Sequence, residues 1–395
     1  MKTEIEGYVE IYHSNCLTEP SYQISEDDIL VNQVINTIGP DEFTVIVRGP
    51  ELARLSQEYL GNCRYRFPFS MHLGGLYTLS IVFVHEEFDA IQETQDVRPL
   101  AFNLALTQNA SWYHPGRDFS LGDWAQNAPC SKVAAHDGIW LHVDKSPISK
   151  LYSTNLSDFL DSEYNVQCDE KYFYHRSCSL GPVESLINYR PTCKPKKNLR
   201  ILISGDSQSR HTYVALVNRF SGKSPRPFEK FDSEISYLPR LNMTIVYQND
   251  IFLYTLLNQT IDQINQYDAI LCNTAQWPAS SAESSGHWTF AQYRNRVDKV
   301  GDQIRDWNHE IVYSQKSTKI IWQSLNPFPP WWLYTHPGHK DWRTFTRLQM
   351  WNNYAKRTMT SADIPVTGNF ELLSPMTCRS YDGNVHFLDR DYSTR

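Results

Sequence analysis

The sequence lacks any run of about 18 apolar residues, so it contains no candidate for a membrane-spanning helix. Its first residues, MKTEIEGYVEIYHSNC, have no apolar core of a signal peptide, so we expect either a cytosolic protein or a leader outside this sequence. No two cysteines have CxxC spacing, which argues against a zinc ribbon and a thioredoxin-like motif. The formal net charge of -7 gives no general attraction to nucleic acid.

The composition is that of a folded globular protein, with 41% hydrophobic and 21% charged residues. A length of 395 residues suggests two or three domains, each large enough for its own core. Eight cysteines lie at positions 16, 63, 130, 168, 178, 193, 272 and 378. Disulfides fit this even number, but roughly 100 pairings are possible and the sequence does not choose among them.

N-glycosylation sequons begin at Asn109, Asn155, Asn242 and Asn258. About three sequons would arise by chance in such a chain, so they are weak support by themselves. The cysteines and the sequons together favour the secretory pathway, either the Golgi lumen or the extracellular space.

The first part of the chain has a β pattern. Residues 1–20 are expected to be a poorly ordered lead-in, and residues 21–95 to form short strands. Residues 42–47 and 77–84 alternate between apolar and polar side chains, which indicates an immunoglobulin-like or filamin-like sandwich. Residues 96–195 contain four of the eight cysteines and are expected to form a loop-rich connecting region around the following domain.

From residue 196 to 395 the pattern changes to alternating strands and helices. Strands are predicted at 199–204, 252–257, 269–272, 319–325 and 364–366, and helices at 208–220, 288–312 and 342–359. This alternation predicts a three-layer α/β domain with a parallel sheet and helices on both faces.

A serine lies at one of the predicted strand-to-helix junctions. An apolar strand ends in Gly205-Asp206-Ser207, and a helix begins at once. Ligands of open α/β sheets bind beyond the carboxyl ends of the strands, and the positive end of a helix dipole favours developing negative charge there. Ser207 is therefore a candidate nucleophile. The alternative is an N-cap serine, since Asp and Ser are both good caps.

Two further segments provide groups that such a serine needs. Asp382 and His386 lie in one C-terminal segment, where His386 could accept the serine proton and Asp382 could orient the imidazole. Asn273 ends another apolar strand, where its amide could donate to an oxyanion beside the Ser207 N–H. Trp277, four residues later, is a candidate wall of the pocket.

These segments, in this order, resemble the SGNH/GDSL superfamily. Gly-Asp-Ser-x-x-Arg, which ends at Arg210, is similar to the PC-esterase-type branch, which includes NXPE proteins and trichome-birefringence-like O-acetyltransferases. The resemblance covers residues 165–395 and, more loosely, 20–95. It implies Ser207 as nucleophile, His386 as base, Asp382 as its partner and Asn273 as oxyanion donor, with Gly205, Asp206 and Arg210 in support. The superfamily spaces its Asp and His as DxxH, whereas this chain has one residue more between them.

The function that we expect is serine-dependent O-acetyl transfer to, or removal from, the hydroxyls of a glycan. Its partners are an acetyl donor and a carbohydrate acceptor, and the chemistry requires no metal and no cofactor. The alternative is a secreted binding or adhesion protein whose SGNH domain is inactive, which the changed Asp/His spacing favours.

Overall fold

The computed structural model describes residues 5–19, 29–49, 51–71, 74–93, 108–114, 138–142, 171–175, 197–221, 232–280, 288–313, 318–327, 342–368, 370 and 374. The chain divides into two compact units. The first consists of Met1–Gly181, Pro329–Arg347 and Glu371–Cys378, and the second of Pro182–Phe328, Leu348–Phe370 and Arg379–Arg395. Within the part of the chain that is described, no helix combines the length and the apolar character needed to cross a membrane.

The first unit is built mainly from antiparallel strands. Those described are β1 (Ile5–Tyr12), β2 (Glu42–Arg48), β3 (Glu51–Leu55), β4 (Glu58–Tyr59), β5 (Arg64–Met71), β6 (Gly75–His85), β7 (Gln108–His114), β8 (Gly138–His142) and β9 (Lys171–His175), with helix α1 (Ile29–Ile38) between β1 and β2. One sheet has the order β1-β5-β4 and the other the order β7-β6-β2-β3-β8-β9.

Both sheets contribute side chains to one hydrophobic core. Strand β5 alternates as expected for a half-buried strand, with Tyr65 and Phe67 buried and Arg64 and Pro68 exposed. The core consists of Phe43, Val45, Val47, Leu55, Tyr65, Phe67, Met71, Tyr77 and Leu79. The strands predicted at 42–47 and 77–84 are confirmed as β2 and β6. The immunoglobulin-like or filamin-like topology remains a prediction.

The expectation of a poorly ordered lead-in is wrong for Ile5–Tyr12, which pairs with β5 along its whole length. Val9 and Ile11 pack against the core, while Tyr8 and Tyr12 on the opposite face are exposed. This alternation gives the segment a buried face, and burial of that face stabilises the strand.

The expectation of loops in the connecting region is wrong for three segments, which form β7, β8 and β9. Strand β7 pairs with β6, and β8 pairs with both β3 and β9, all antiparallel. The segments are rich in aromatic and branched residues, such as Trp112-Tyr113 and Tyr172-Phe173-Tyr174, which favour extended structure.

The second unit alternates strands and helices. Its described elements are β10 (Leu199–Gly205), α2 (Ser207–Ser221), β11 (Ser233–Leu238), β12 (Met243–Asn249), α3 (Tyr254–Leu257), α4 (Ile261–Ile264), β13 (Ala269–Cys272), α5 (Phe290–Tyr313), β14 (Lys319–Trp322) and α6 (Phe345–Ser361), whose first three residues belong to the first unit. The sheet has the order β11-β12-β10-β13-β14, and Val366 adds a parallel bridge to Trp322.

The prediction of an α/β fold is confirmed in its general form, but the sheet is mixed. Strands β12, β10, β13 and β14 are parallel neighbours, whereas β11 is antiparallel to β12. A tight turn at 239–242 joins β11 to β12, and Asn242 within it has a φ of 46°. A connection this short joins antiparallel strands, because a parallel crossover needs about a dozen residues or more.

Helix α2 covers part of one face of the sheet. The core there consists of Ile203, Tyr213, Val214, Val217, Leu238, Ile245 and Tyr247, so α2 packs on β10, β11 and β12. The strand predicted at 252–257 is wrong, because Tyr254–Leu257 forms a helical turn. The Asp250 carboxylate accepts hydrogen bonds from the N–H groups of Thr255 and Leu256 at 3.1 and 2.7 Å, which favours a helical start over a strand.

The disulfide between Cys16 and Cys63 joins the end of the N-terminal strand to the turn before β5. Replacing both cysteines by serine should lower the free energy of unfolding of the first unit by about 4 kcal/mol, because the link closes a loop with a sequence separation of 47. Urea unfolding of the double variant measures this cost. Free alkylation of both thiols in the oxidised, denatured protein would contradict the pairing.

Candidate active site

The carboxyl ends of four parallel strands lie at one edge of the second unit's sheet. In the register of the sheet, Gly205 of β10 pairs with Asn249 of β12, and Ser204 of β10 pairs with Cys272 of β13. Cys272 in turn pairs with Trp322 of β14. The residues that follow the strands therefore meet at this edge, which is where open α/β sheets bind ligands. They include Ser207 after β10, Asp250 after β12, Asn273 after β13 and Gln323 after β14.

Gly205 is the residue that allows these strand ends to approach closely. Its φ of +156° is uncommon for residues with a side chain. A Cβ atom at this position would lie 2.7 Å from the main-chain oxygen of Asn273 and would also collide with the Ser209 hydroxyl. The sequence prediction gave Gly205 a supporting role, and the structure places it at the end of β10, against the main-chain oxygen of Asn273.

Asp206 caps helix α2. Its side chain is buried, and its carboxylate accepts a hydrogen bond from the Gln208 N–H at 2.9 Å. Its carbonyl accepts the first helical hydrogen bond, from the Arg210 N–H at 3.0 Å. The N-cap is therefore Asp206, and Ser207 is the first helical residue. Ser207 is half-buried, whereas Ser209 is fully buried.

Tyr247 lies beneath this turn on the neighbouring strand. Its hydroxyl is placed to donate to two main-chain carbonyl oxygens. That of Asp206 lies 3.2 Å away and that of Gly205 lies 3.4 Å away. The side chain is fully buried. Burial raises the pKa of Tyr247 and the nearby Asp206 carboxylate adds to this, while the Arg210 guanidinium opposes it. The phenol thus stays protonated and remains a hydrogen-bond donor.

Asn273 lies beside the turn, and its side-chain amide is held by a main-chain group. Its Nδ2 donates to the carbonyl of Gln323 at 2.6 Å, and its own N–H donates to the Ser204 carbonyl at 3.1 Å. A carboxamide has two N–H hydrogens, so one further hydrogen remains on Nδ2. The oxyanion role of Asn273 stays a prediction.

Four other carboxamide side chains connect the same strand ends. The Gln323 amide donates to the Thr212 hydroxyl at 2.9 Å. The Asn326 amide donates to the side chain of Gln208, and the Gln276 amide donates to the main-chain oxygen of Asn326. We call Gln208, Gln276, Gln323 and Asn326 the carboxamide cluster. It joins α2 to the loops that follow β13 and β14.

Asp250 and Cys272 also lie at this edge, and sequence reasoning did not single out either as part of the site. Besides capping α3, Asp250 donates its N–H to the Gly205 carbonyl at 3.0 Å. The sequence signal for the contact of Asp250 with the start of α3 is an acidic residue just before a helical turn. Cys272 is buried, and its burial together with Asp250 raises the pKa of its thiol to about 12, so the thiolate is disfavoured.

The remaining predicted residues divide between described and undescribed parts of the chain. Arg210 lies in the first turn of α2 and is half-buried. Trp277 is half-buried in the turn after β13, where its neighbours Gln276 and Pro278 are buried. Asp382 and His386 lie outside the described residues. The structure thus brings Gly205, Asp206, Ser207, Arg210 and Asn273 together.

No protein-family model matches the chain, and no curated protein does. Among solved structures the chain is similar to one described as a GDSL-like lipase from Parabacteroides merdae, with 12% sequence identity and a TM-score of 0.30. The match covers 51% of this chain and 94% of that one. A likeness with so low a TM-score carries no argument for the activity of this chain.

Replacing Gly205 by alanine should lower the free energy of unfolding of the second unit by about 3 kcal/mol, because the new Cβ meets the Asn273 carbonyl and the backbone φ disfavours a side chain. Gly61→Ala is the matched control, since Gly61 also has a positive φ, +83°, but open space around it. That change should lower the free energy of unfolding of the first unit, to which Gly61 belongs, by about 1 kcal/mol. Urea unfolding measures both. Equal costs would contradict the close approach.

Proposed function

We propose that the second unit is an SGNH-type serine acyltransferase or esterase with Ser207 as its nucleophile. The observation that carries the proposal is the position of Ser207. It is half-buried, it is the first residue of a helix, and it lies two residues after a glycine at the carboxyl edge of a largely parallel sheet. A helix N-terminus stabilises negative charge that develops on a bound group.

The proposed reaction has two steps. The Ser207 hydroxyl oxygen attacks the carbonyl carbon of an acetyl ester, and His386 takes the hydroxyl proton. The resulting oxyanion is stabilised by the Ser207 N–H and by Asn273. The intermediate then collapses, the ester C–O bond breaks, and His386 returns the proton to the departing alcohol.

The acetyl-enzyme is resolved by a second nucleophile. Water gives acetate, whereas a sugar hydroxyl gives a new acetyl ester, and in both cases His386 takes the proton of the attacking group and returns it to Ser207. Asp382 orients the imidazole. The roles of His386 and Asp382 are supported by the sequence pattern alone, because both lie outside the described residues.

The glycan class of the substrate follows from the PC-esterase-type resemblance and from the exposed part of Trp277. An aromatic ring that is half-exposed four residues after Asn273 suits contact with a sugar face. The Cys16–Cys63 disulfide supports the secretory pathway, where such bonds persist. In this proposal the catalytic SGNH domain spans residues 196–395, and an immunoglobulin-like or filamin-like sandwich precedes it.

The test is covalent labelling with a fluorophosphonate, which reacts with activated serines, together with hydrolysis of an aryl acetate. Ser207→Ala should abolish labelling and lower kcat/KM about 10^6-fold, since only the oxyanion donors and the binding site remain. The matched control is Ser221→Ala at the other end of α2, which should label at the wild-type rate. His386→Gln should lose activity to a similar degree.

Each outcome has a definite meaning. Labelling at a serine other than Ser207 contradicts the nucleophile assignment. Absence of labelling in folded protein favours the alternative of a binding protein with an inactive domain. With a labelled acetyl donor and glycan acceptors, acetylated sugar identifies a transferase, and free acetate alone identifies an esterase.

A further inference from the structure

Tyr247 makes contacts that the proposed mechanism has not used. Its ring packs in the core below α2, 5.9 Å from the ring of Tyr213, and its hydroxyl reaches upward to the turn before the nucleophile. The hydroxyl has one hydrogen and three acceptors within reach. They are the carbonyls of Asp206 at 3.2 Å and Gly205 at 3.4 Å, and the Asn249 side-chain oxygen at 3.4 Å. The nearest is the Asp206 carbonyl.

The carbonyl of Asp206 and the N–H of Ser207 belong to one peptide group. That group is planar, and no cis peptide occurs among the described residues, so the N–H points away from the carbonyl. A donor that fixes the carbonyl on the core side of the peptide therefore fixes the N–H on the opposite side. A hydrogen bond to the carbonyl also polarises the peptide and strengthens the N–H as a donor.

A second contact limits the alternatives for oxyanion donors on this helix. The Gln208 N–H is occupied by the Asp206 carboxylate at 2.9 Å. The N–H of Gln208, the second residue of α2, therefore points towards the Asp206 carboxylate. The carbonyl of the peptide that precedes Ser207 accepts the Arg210 N–H at 3.0 Å as part of the helix, and the Tyr247 hydroxyl is a second donor to it at 3.2 Å.

We propose that Tyr247 is a positioning residue that orients the Ser207 N–H for the oxyanion of the acyl-transfer reaction. This inference rests on the proposed function. Tyr247 touches no reacting atom, and it acts through the peptide between Asp206 and Ser207. Its hydroxyl matters for the transition state, where the oxyanion exists, and not for binding of the neutral ester.

The test compares Tyr247→Phe with Tyr213→Phe. Both changes remove one buried hydroxyl from the same core, but the Tyr213 hydroxyl lies 2.7 Å from the Ser236 hydroxyl on β11, whereas the Tyr247 hydroxyl lies against the carbonyls that precede Ser207. Tyr247→Phe should lower kcat for an aryl acetate about tenfold with KM unchanged, and should slow fluorophosphonate labelling by a similar factor. Tyr213→Phe should leave both rates within about twofold of wild type.

A second measurement reports on the peptide itself, whatever the activity. In protein with 15N-labelled serine, the Ser207 amide resonance is identified by its loss in Ser207→Ala. Tyr247→Phe should shift this resonance and speed its hydrogen exchange, and Tyr213→Phe should not.

The outcomes separate the two proposals. If wild-type Ser207 labels but Tyr247→Phe and Tyr213→Phe label at the same rate, the positioning role is overturned and the proposed function stands. If wild-type protein does not label at all, the proposed function fails. The catalytic role of Tyr247 then fails with it, and the Ser207 amide resonance in Tyr247→Phe shows separately whether Tyr247 orients the peptide: an unchanged resonance overturns that contact, and a selective shift supports the contact but no role in acyl transfer.

Discussion

The arrangement at the strand ends depends on the missing side chain at position 205. The main-chain oxygen of Asn273 lies where a Cβ atom would crowd it, so the end of β13 can lie directly beside the turn that leads into α2. The register of β10 with β12 and β13 is regular up to this point. Because Gly205 ends the strand with a positive φ, Asp206 can cap the helix and Ser207 becomes its first residue.

The two buried carboxylates at this edge are both engaged with helix N-termini. Asp206 accepts from the Gln208 N–H, and Asp250 accepts from the N–H groups of Thr255 and Leu256. Such hydrogen bonds offset the cost of burying a charge, because the donors are otherwise unpaired at the start of a helix. These acidic groups therefore act in local structure. The proposed orienting carboxylate belongs instead to Asp382.

The sequence predicted the elements whose pattern is local. β10, α2 and β13 were predictable because each is a short apolar run or a helical spacing bounded by a polar turn. β11 and β12 were missed, since their pairing depends on the tight turn at 239–242. The N-terminal β1 was missed because its partner β5 is more than fifty residues away. The alternating side chains of an edge strand stabilise it only once its partner and the core behind them are in place.

The residues of the candidate site also divide into those that a local sequence pattern indicates and those that depend on distant parts of the chain. Gly205, Asp206 and Ser207 are adjacent in sequence, so a tripeptide at a strand-to-helix junction is enough to indicate them. Tyr247 could not be predicted, because its acceptors are main-chain carbonyls about forty residues earlier, and only the register that sets Tyr247 level with Ile203 brings them together. The hydrogen bonds of the carboxamide cluster likewise join residues that are far apart in sequence.

The carboxamide cluster also explains how this edge can be polar, buried and fixed at the same time. Gln208, Gln276, Gln323 and Asn326 are neutral, so their burial costs less than that of charged groups, and each donates or accepts across strand ends. The Asp206 carboxylate beside the serine is engaged by the Gln208 N–H. Neutral dipoles held in place can stabilise a charge that appears only in the transition state, because they need no reorganisation when it forms. Under the proposed function, this is the environment that an acyl-transfer serine requires.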